Sequence, residues 1–137
     1  MSSSNLSLDF PFQRLREVRL ALLRLHKALL NSERIVYEQF NGRIQTNGEF
    51  LRLVIGHEWF NWLHPISEFI VQIDEVLSAK EPATLNQANE LLAQARTLLK
   101  PSEQGTSLQT RYYSAIQRDP DIALMHAEVS KLLATDV

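Results

Sequence analysis

The chain has 137 residues, with 14 Lys and Arg against 16 Asp and Glu, 45% hydrophobic residues and no cysteine. That length and apolar content suffice for one packed domain, and the missing cysteine excludes disulfide frameworks, thiolate zinc sites, iron–sulfur ligation and cysteine nucleophiles. The formal net charge of -2 supplies no global attraction to nucleic acid or an anionic membrane, and Met1–Asn5 lacks a signal-peptide pattern. No run reaches the length of a membrane span, so composition predicts a soluble cytoplasmic protein without a cofactor.

Residues 1–8, rich in Ser and Asn, read as a flexible lead-in, and 9–137 as a single helical domain. Asp9 is placed to cap the first helix, with Pro11 in its first turn. Leu15, Val18, Leu22, Leu25, Leu29, Val36 and Phe40 then recur at alternating steps of three and four, with Ser32 filling the gap, which predicts a heptad-like seam. Leu20, Leu23 and Leu30 lie off that seam, so this helix is expected to touch more than one neighbour. Asn41-Gly42 supplies a C-terminal cap.

Thr46-Asn47-Gly48-Glu49 has the capping-box pattern, and a second long helix is expected from there to about Ala79, carrying Ile66, Phe69, Ile70, Ile73, Val76 and Leu77 at helical period. Pro65 lies inside it and predicts a kink, because proline removes the bond to the Asn61 carbonyl and disfavours helical geometry at His64. Thr84–Gln87 is a further capping box, opening a helix through Leu99. Lys100-Pro101 ends that helix, and a shorter one is expected from Ser107 to Arg118. Asp119-Pro120 opens the last, with Ile122, Met125, Val129, Leu132 and Leu133 on one face. No segment alternates in the manner of a strand. The expected fold class is all-α and four-helix-bundle-like: two long antiparallel helices and three shorter ones.

Histidine is the natural place to seek chemistry in a helical bundle. On an unbroken second helix His57, Asn61, His64 and Glu68 share one stripe, a spacing that offers His57, His64 and Glu68 as metal ligands, with His26 or His126 completing the set. Helical phase argues against that reading. The stripe lies nearly opposite the one formed by Trp59, Trp62, Leu63, Ile66, Ile70, Ile73 and Leu77, as a solvated face does. Glu-x-x-His pairs on two helices are absent, and His126, between Ile122 and Val129, is read as a hydrogen-bonded core residue.

No nucleophile elbow, phosphate-binding glycine loop or dinucleotide fingerprint occurs, so the balance favours a protein that is not an enzyme. Charge is segregated instead. From Phe10 to Arg52 there are Arg14, Arg16, Arg19, Arg24, Lys27, Arg34, Arg43 and Arg52, spread around the helix in a manner unlike a nucleic-acid footprint. From Leu53 to Ala79 there is no Lys or Arg, but Glu58, Glu68, Asp74 and Glu75 are present. Trp59, Phe60 and Trp62 point in three directions around a helix, so at least one is expected at an interface or ligand, with Trp62 the one assigned to the core.

The segment His57–Glu75, with Gln117-Arg118-Asp119-Pro120-Asp121, resembles small bacterial all-helical proteins of unassigned function, over most of the chain after residue 12. The resemblance implies a bacterial cytoplasmic origin and supplies no activity. The resulting expectation is a non-enzymatic interaction or regulatory protein that forms a homo-oligomer and meets a protein partner, without nucleic acid or membrane. The alternative is a metal- or small-ligand-binding bundle using His57, His64 and Glu68.

Overall fold

A computed structural model describes residues 2–81 and 83–134, with side chains from residue 10 onward. The described residues form helices and no strand: α1 (Ser2–Asn41), α2 (Asn47–Gly56), a 3-10 helix (Glu58–Leu63), α3 (His64–Ser78), α4 (Leu85–Leu98), α5 (Ser107–Arg118) and α6 (Pro120–Leu133). No helix among them is long and apolar enough to cross a membrane. The backbone of α1 is helical from Ser2, so Asp9 does not begin it. The expected Asp9 cap and the side chains of the lead-in lie outside the described residues.

Helix α1 is the spine, packing against α3, α4, α6 and the 3-10 helix. Its seam is buried where predicted at Leu15, Val18, Leu22, Leu25 and Leu29. Beyond Leu29 the apolar seam stops: Ser32 and Glu33 are buried in its place, Val36 is half-buried and Phe40 is 75% exposed. The seam therefore serves this chain's own core over its first five positions and gives way to polar chemistry at its C-terminal end. At the cap, Gly42 takes φ 85°, and its N–H donates to the Glu38 carbonyl at 3.0 Å.

The second long helix is not continuous. Helix α2 ends at Gly56, His57 is extended at φ -90° and ψ 138°, and a 3-10 helix intervenes before α3. The break thus falls at Gly56-His57, upstream of the kink expected at Pro65. Pro65 occupies the first turn of α3, where its missing N–H has no bond to lose, and His64 keeps helical angles of -57° and -41°. Helix α2 packs chiefly on the 3-10 helix and buries no residue completely. Leu51 and Ile55 face solvent.

The remaining boundaries are local in origin. Thr84 accepts from the Gln87 N–H at 3.1 Å while Gln87 Oε1 accepts from the Thr84 N–H at 2.8 Å, a closed capping box. Thr106 and Gln109 form a second such box at the start of α5. At Thr46 the box is only half realised, since the Glu49 carboxylate reaches past Thr46 to the Gln45 N–H. Asp119 caps α6 through the Asp121 N–H. The far end of α6 is closed by side chains of other helices: Arg14 donates to the Leu132 carbonyl and Arg96 to the Leu133 carbonyl, each at 2.5 Å. Cations at a helix C-terminus satisfy orphan carbonyls and oppose the negative end of the dipole.

Candidate functional site

The polar gap in the α1 seam and the interrupted second arm meet. Glu33 is 3% exposed and its carboxylate is filled. Oε1 accepts from the Trp62 indole at 2.9 Å and from Arg111 at 3.1 Å, and Oε2 accepts from Arg118 at 2.9 Å. Arg118 also donates to Ser32 Oγ at 3.0 Å. Arg111 and Arg118 lie seven positions apart on α5, two helical turns, so they reach toward α1 from one face. A buried charge needs such partners, because desolvation without them costs several kcal/mol per ion.

Aromatic rings close the site. Tyr37 meets His57, Trp59 and Phe60 at ring-centre distances of 5.6, 5.6 and 5.7 Å. Phe50 meets Phe60 edge-on at 5.8 Å, and the Arg34 guanidinium lies over Phe50 at 4.7 Å. Arg111 lies 5.8 Å from the Trp59 ring and 6.0 Å from Trp62, so its charge is shared between a carboxylate and two indole faces. The Trp59 indole nitrogen is buried and has no hydrogen-bond partner among the described residues.

The three aromatic candidates of the sequence separate here. Phe60 and Trp62 are buried in the chain's own core and offer no surface for an interface, whereas Trp59 is half-buried beside the exposed Phe40, at 6.1 Å. All three lie in the 3-10 helix, which turns at about 120° per position, so the phase of a straight α-helix does not apply to them.

The polar stripe also comes apart. His57 is exposed, and its Nδ1 accepts from the Trp59 backbone N–H at 3.0 Å, capping the 3-10 helix. His64 is half-buried and donates from Nε2 to the Val54 carbonyl at 2.9 Å, satisfying an orphan acceptor in the last turn of α2. Glu68 is exposed on α3. Among the described residues no three His, Asp or Glu side chains converge in a way that could hold a metal ion. The break at His57 is the cause, because the stripe requires one unbroken helix.

His26 lies close enough to His64 to feel its charge. Burial first, and His64 second, push the His26 pKa below the ordinary imidazole value. His126 is half-buried on α6 and bonds Tyr112 through Nδ1 at 2.8 Å, the hydrogen-bonded state expected of it.

Residue-by-residue reading of the sequence missed Glu33, Arg111 and Arg118. The available signal was the interruption of the seam by Ser32-Glu33, two polar residues where the apolar period calls for Leu. What the cluster can do is limited by its saturation. A carboxylate that accepts three donors and is almost fully buried is shut off from a substrate, so it acts as a clamp joining α1, α5 and the 3-10 helix.

Fold and geometry together define the class: an all-α chain organised on one long helix, locked by a buried carboxylate between two arginines and an indole. Compared with protein families, curated proteins and solved structures, the chain matches none.

Proposed function

We propose that this chain is a non-enzymatic helical interaction protein that associates with a second copy of itself and, as that assembly, meets a protein partner. In this reading the arrangement is four-helix-bundle-like, with α1 antiparallel to the interrupted arm. The Arg19–Asp74 ion pair at one level and the Glu33–Trp62 bond at another support that direction.

The observation that carries the proposal is a pair of complementary outward faces. On α1, Leu20 is 50% and Leu23 40% exposed, flanked by exposed Arg16, Arg24 and Lys27, which outnumber the one exposed carboxylate on that face, Glu17. On α3, Val71 is 52% exposed between exposed Glu68, Gln72 and Glu75, in a stretch from Leu53 to Ala79 without Lys or Arg. Each copy thus presents an apolar centre framed by cations and another framed by carboxylates. An isologous pair satisfies both at once, α1 of each copy lying on α3 of the other. The half-exposed edge of Trp59 with Phe40 is the surface we assign to the protein partner, since exposed aromatics are enriched at binding hot spots.

Sedimentation equilibrium over a concentration series tests this reading. The wild-type chain is expected to give a dimer mass. Arg16→Glu with Arg24→Glu, and separately Glu68→Lys with Glu75→Lys, are each expected to give monomers. An equimolar mixture of the two variants is expected to recover the dimer, because both contacts are then complementary again. A wild-type monomer at every concentration overturns self-association. A dimer unaffected by either variant overturns this interface.

A further inference from the structure

Between the C-terminal ends of α4 and α6 lies an open cleft of about 310 Å³, separate from the clamp and from the proposed dimer faces. Its polar lining is Arg96, Lys100, His126 and Ser130, and its apolar wall includes Leu99 and Val129. Neither Asp nor Glu lines it among the described residues.

The protonation of His126 follows from its neighbour. Tyr112 is fully buried, and its hydroxyl lies 2.8 Å from His126 Nδ1, with the two rings edge-on at 5.3 Å. Burial raises the Tyr112 pKa, so the phenol keeps its proton. A buried O–H needs an acceptor, and Nδ1 is the acceptor within reach. The imidazole hydrogen therefore sits on Nε2, on the side of Ser130, whose Oγ is 3.4 Å away.

Among the described residues, every polar side chain on the cleft wall is then able to donate: the His126 Nε2–H, the Ser130 hydroxyl, the Lys100 ammonium and the Arg96 N–H groups not used on the Leu133 carbonyl. Two of these side chains carry formal positive charge, and among the described residues of the wall none is acidic. We infer that this cleft binds a small oxyanion, a phosphoryl or carboxylate group, held by Lys100 and Arg96 in charge and oriented by His126 Nε2–H and Ser130. The inference stands independently of self-association.

The test is an NMR titration of the full chain at constant ionic strength, following the ring resonances of His126. Inorganic phosphate and butyrate are the two probes, and sodium chloride is the control. Saturable shifts of His126 with phosphate alone assign the cleft to phosphoryl groups; saturation with butyrate alone assigns it to carboxylates; either result supports the site. Lys100→Gln and Ser130→Ala change exposed side chains and leave the core intact. Lys100→Gln is expected to weaken binding about tenfold, the ordinary worth of one charge-assisted contact. Shifts that stay linear and match chloride, affinity unchanged in Lys100→Gln, or ring nitrogen shifts showing the hydrogen on Nδ1 would each overturn the inference.

Discussion

The indole N–H of Trp62 donates to the Glu33 carboxylate at 2.9 Å across a separation of 29 positions, in the buried region where α1 meets the 3-10 helix. This bond connects the polar gap of the seam to the interrupted arm, and α5 closes over it through Arg111 and Arg118.

Replacement of Glu33 by Ala is expected to destabilise the fold by about 3 kcal/mol, the cost of breaking a buried ion pair from its desolvated side. Arg111→Ala is expected to cost about 1 kcal/mol or less, because that side chain is 44% exposed and solvent replaces much of what it loses. Urea unfolding midpoints compare the two. Equal losses would show that the carboxylate is no more dependent on its partners than a surface charge.

The two tryptophans are expected to respond differently to the same change. Trp62→Phe removes a donor to a buried carboxylate and is expected to cost about 2 kcal/mol. Trp59→Phe removes an indole N–H that is buried without a partner among the described residues, so its change is expected to stay within about 0.5 kcal/mol. Thermal unfolding of both variants decides this, and a larger loss for Trp59→Phe contradicts the assignment.

Acidification is expected to weaken the fold through His26 and His126. Burial lowers both pKa values in the folded state, with His64 adding to the effect at His26. The unfolded chain, with imidazoles near 6.5, therefore binds more protons than the folded one as pH falls. Their contribution is complete above the unfolded value and is lost as pH drops through the lower folded values. NMR titration should give midpoints below 6.5 for both residues, and urea midpoints should decline from pH 7.5 downward. A midpoint above 6.5 for either histidine reverses the sign.

Glycine substitutions separate two backbone environments. Gly42→Ala places a side chain at φ 85° and is expected to cost about 1 kcal/mol. At Gly56, the last residue of α2, an added methyl meets nothing within 4 Å and the backbone has no positive φ, so Gly56→Ala is expected to stabilise by about 0.5 kcal/mol. The sign of the difference, read from melting temperatures, is the check.

Pro65→Ala is expected to leave the arm unchanged, with a stability change under about 0.5 kcal/mol, because Pro65 occupies the first turn of α3 and causes no break. Helical content by circular dichroism should match that of the wild-type chain. A rise would mean that proline, rather than Gly56-His57, interrupts the helix.

The all-α class, most helix boundaries, the first five seam positions of α1 and the buried faces of α3 and α6 were legible in the residues themselves. Their causes act over two to four positions: Thr84 with Gln87, Asp119 with Asp121, Gly42 with Glu38, and the spacing of Leu15, Val18, Leu22, Leu25 and Leu29. Where α2 stops, which aromatic turns inward and what satisfies Glu33 were decided only in three dimensions. The 3-10 helix re-phases Trp59, Phe60 and Trp62, so a stripe computed for one straight helix no longer describes them. The arginine partners of Glu33 lie 78 and 85 positions away on α5, and they meet it only because α6 and the 3-10 helix set α5 beside α1. Local spacing carries caps and periodicity, but the neutralisation of a buried charge depends on which distant helix packs over it.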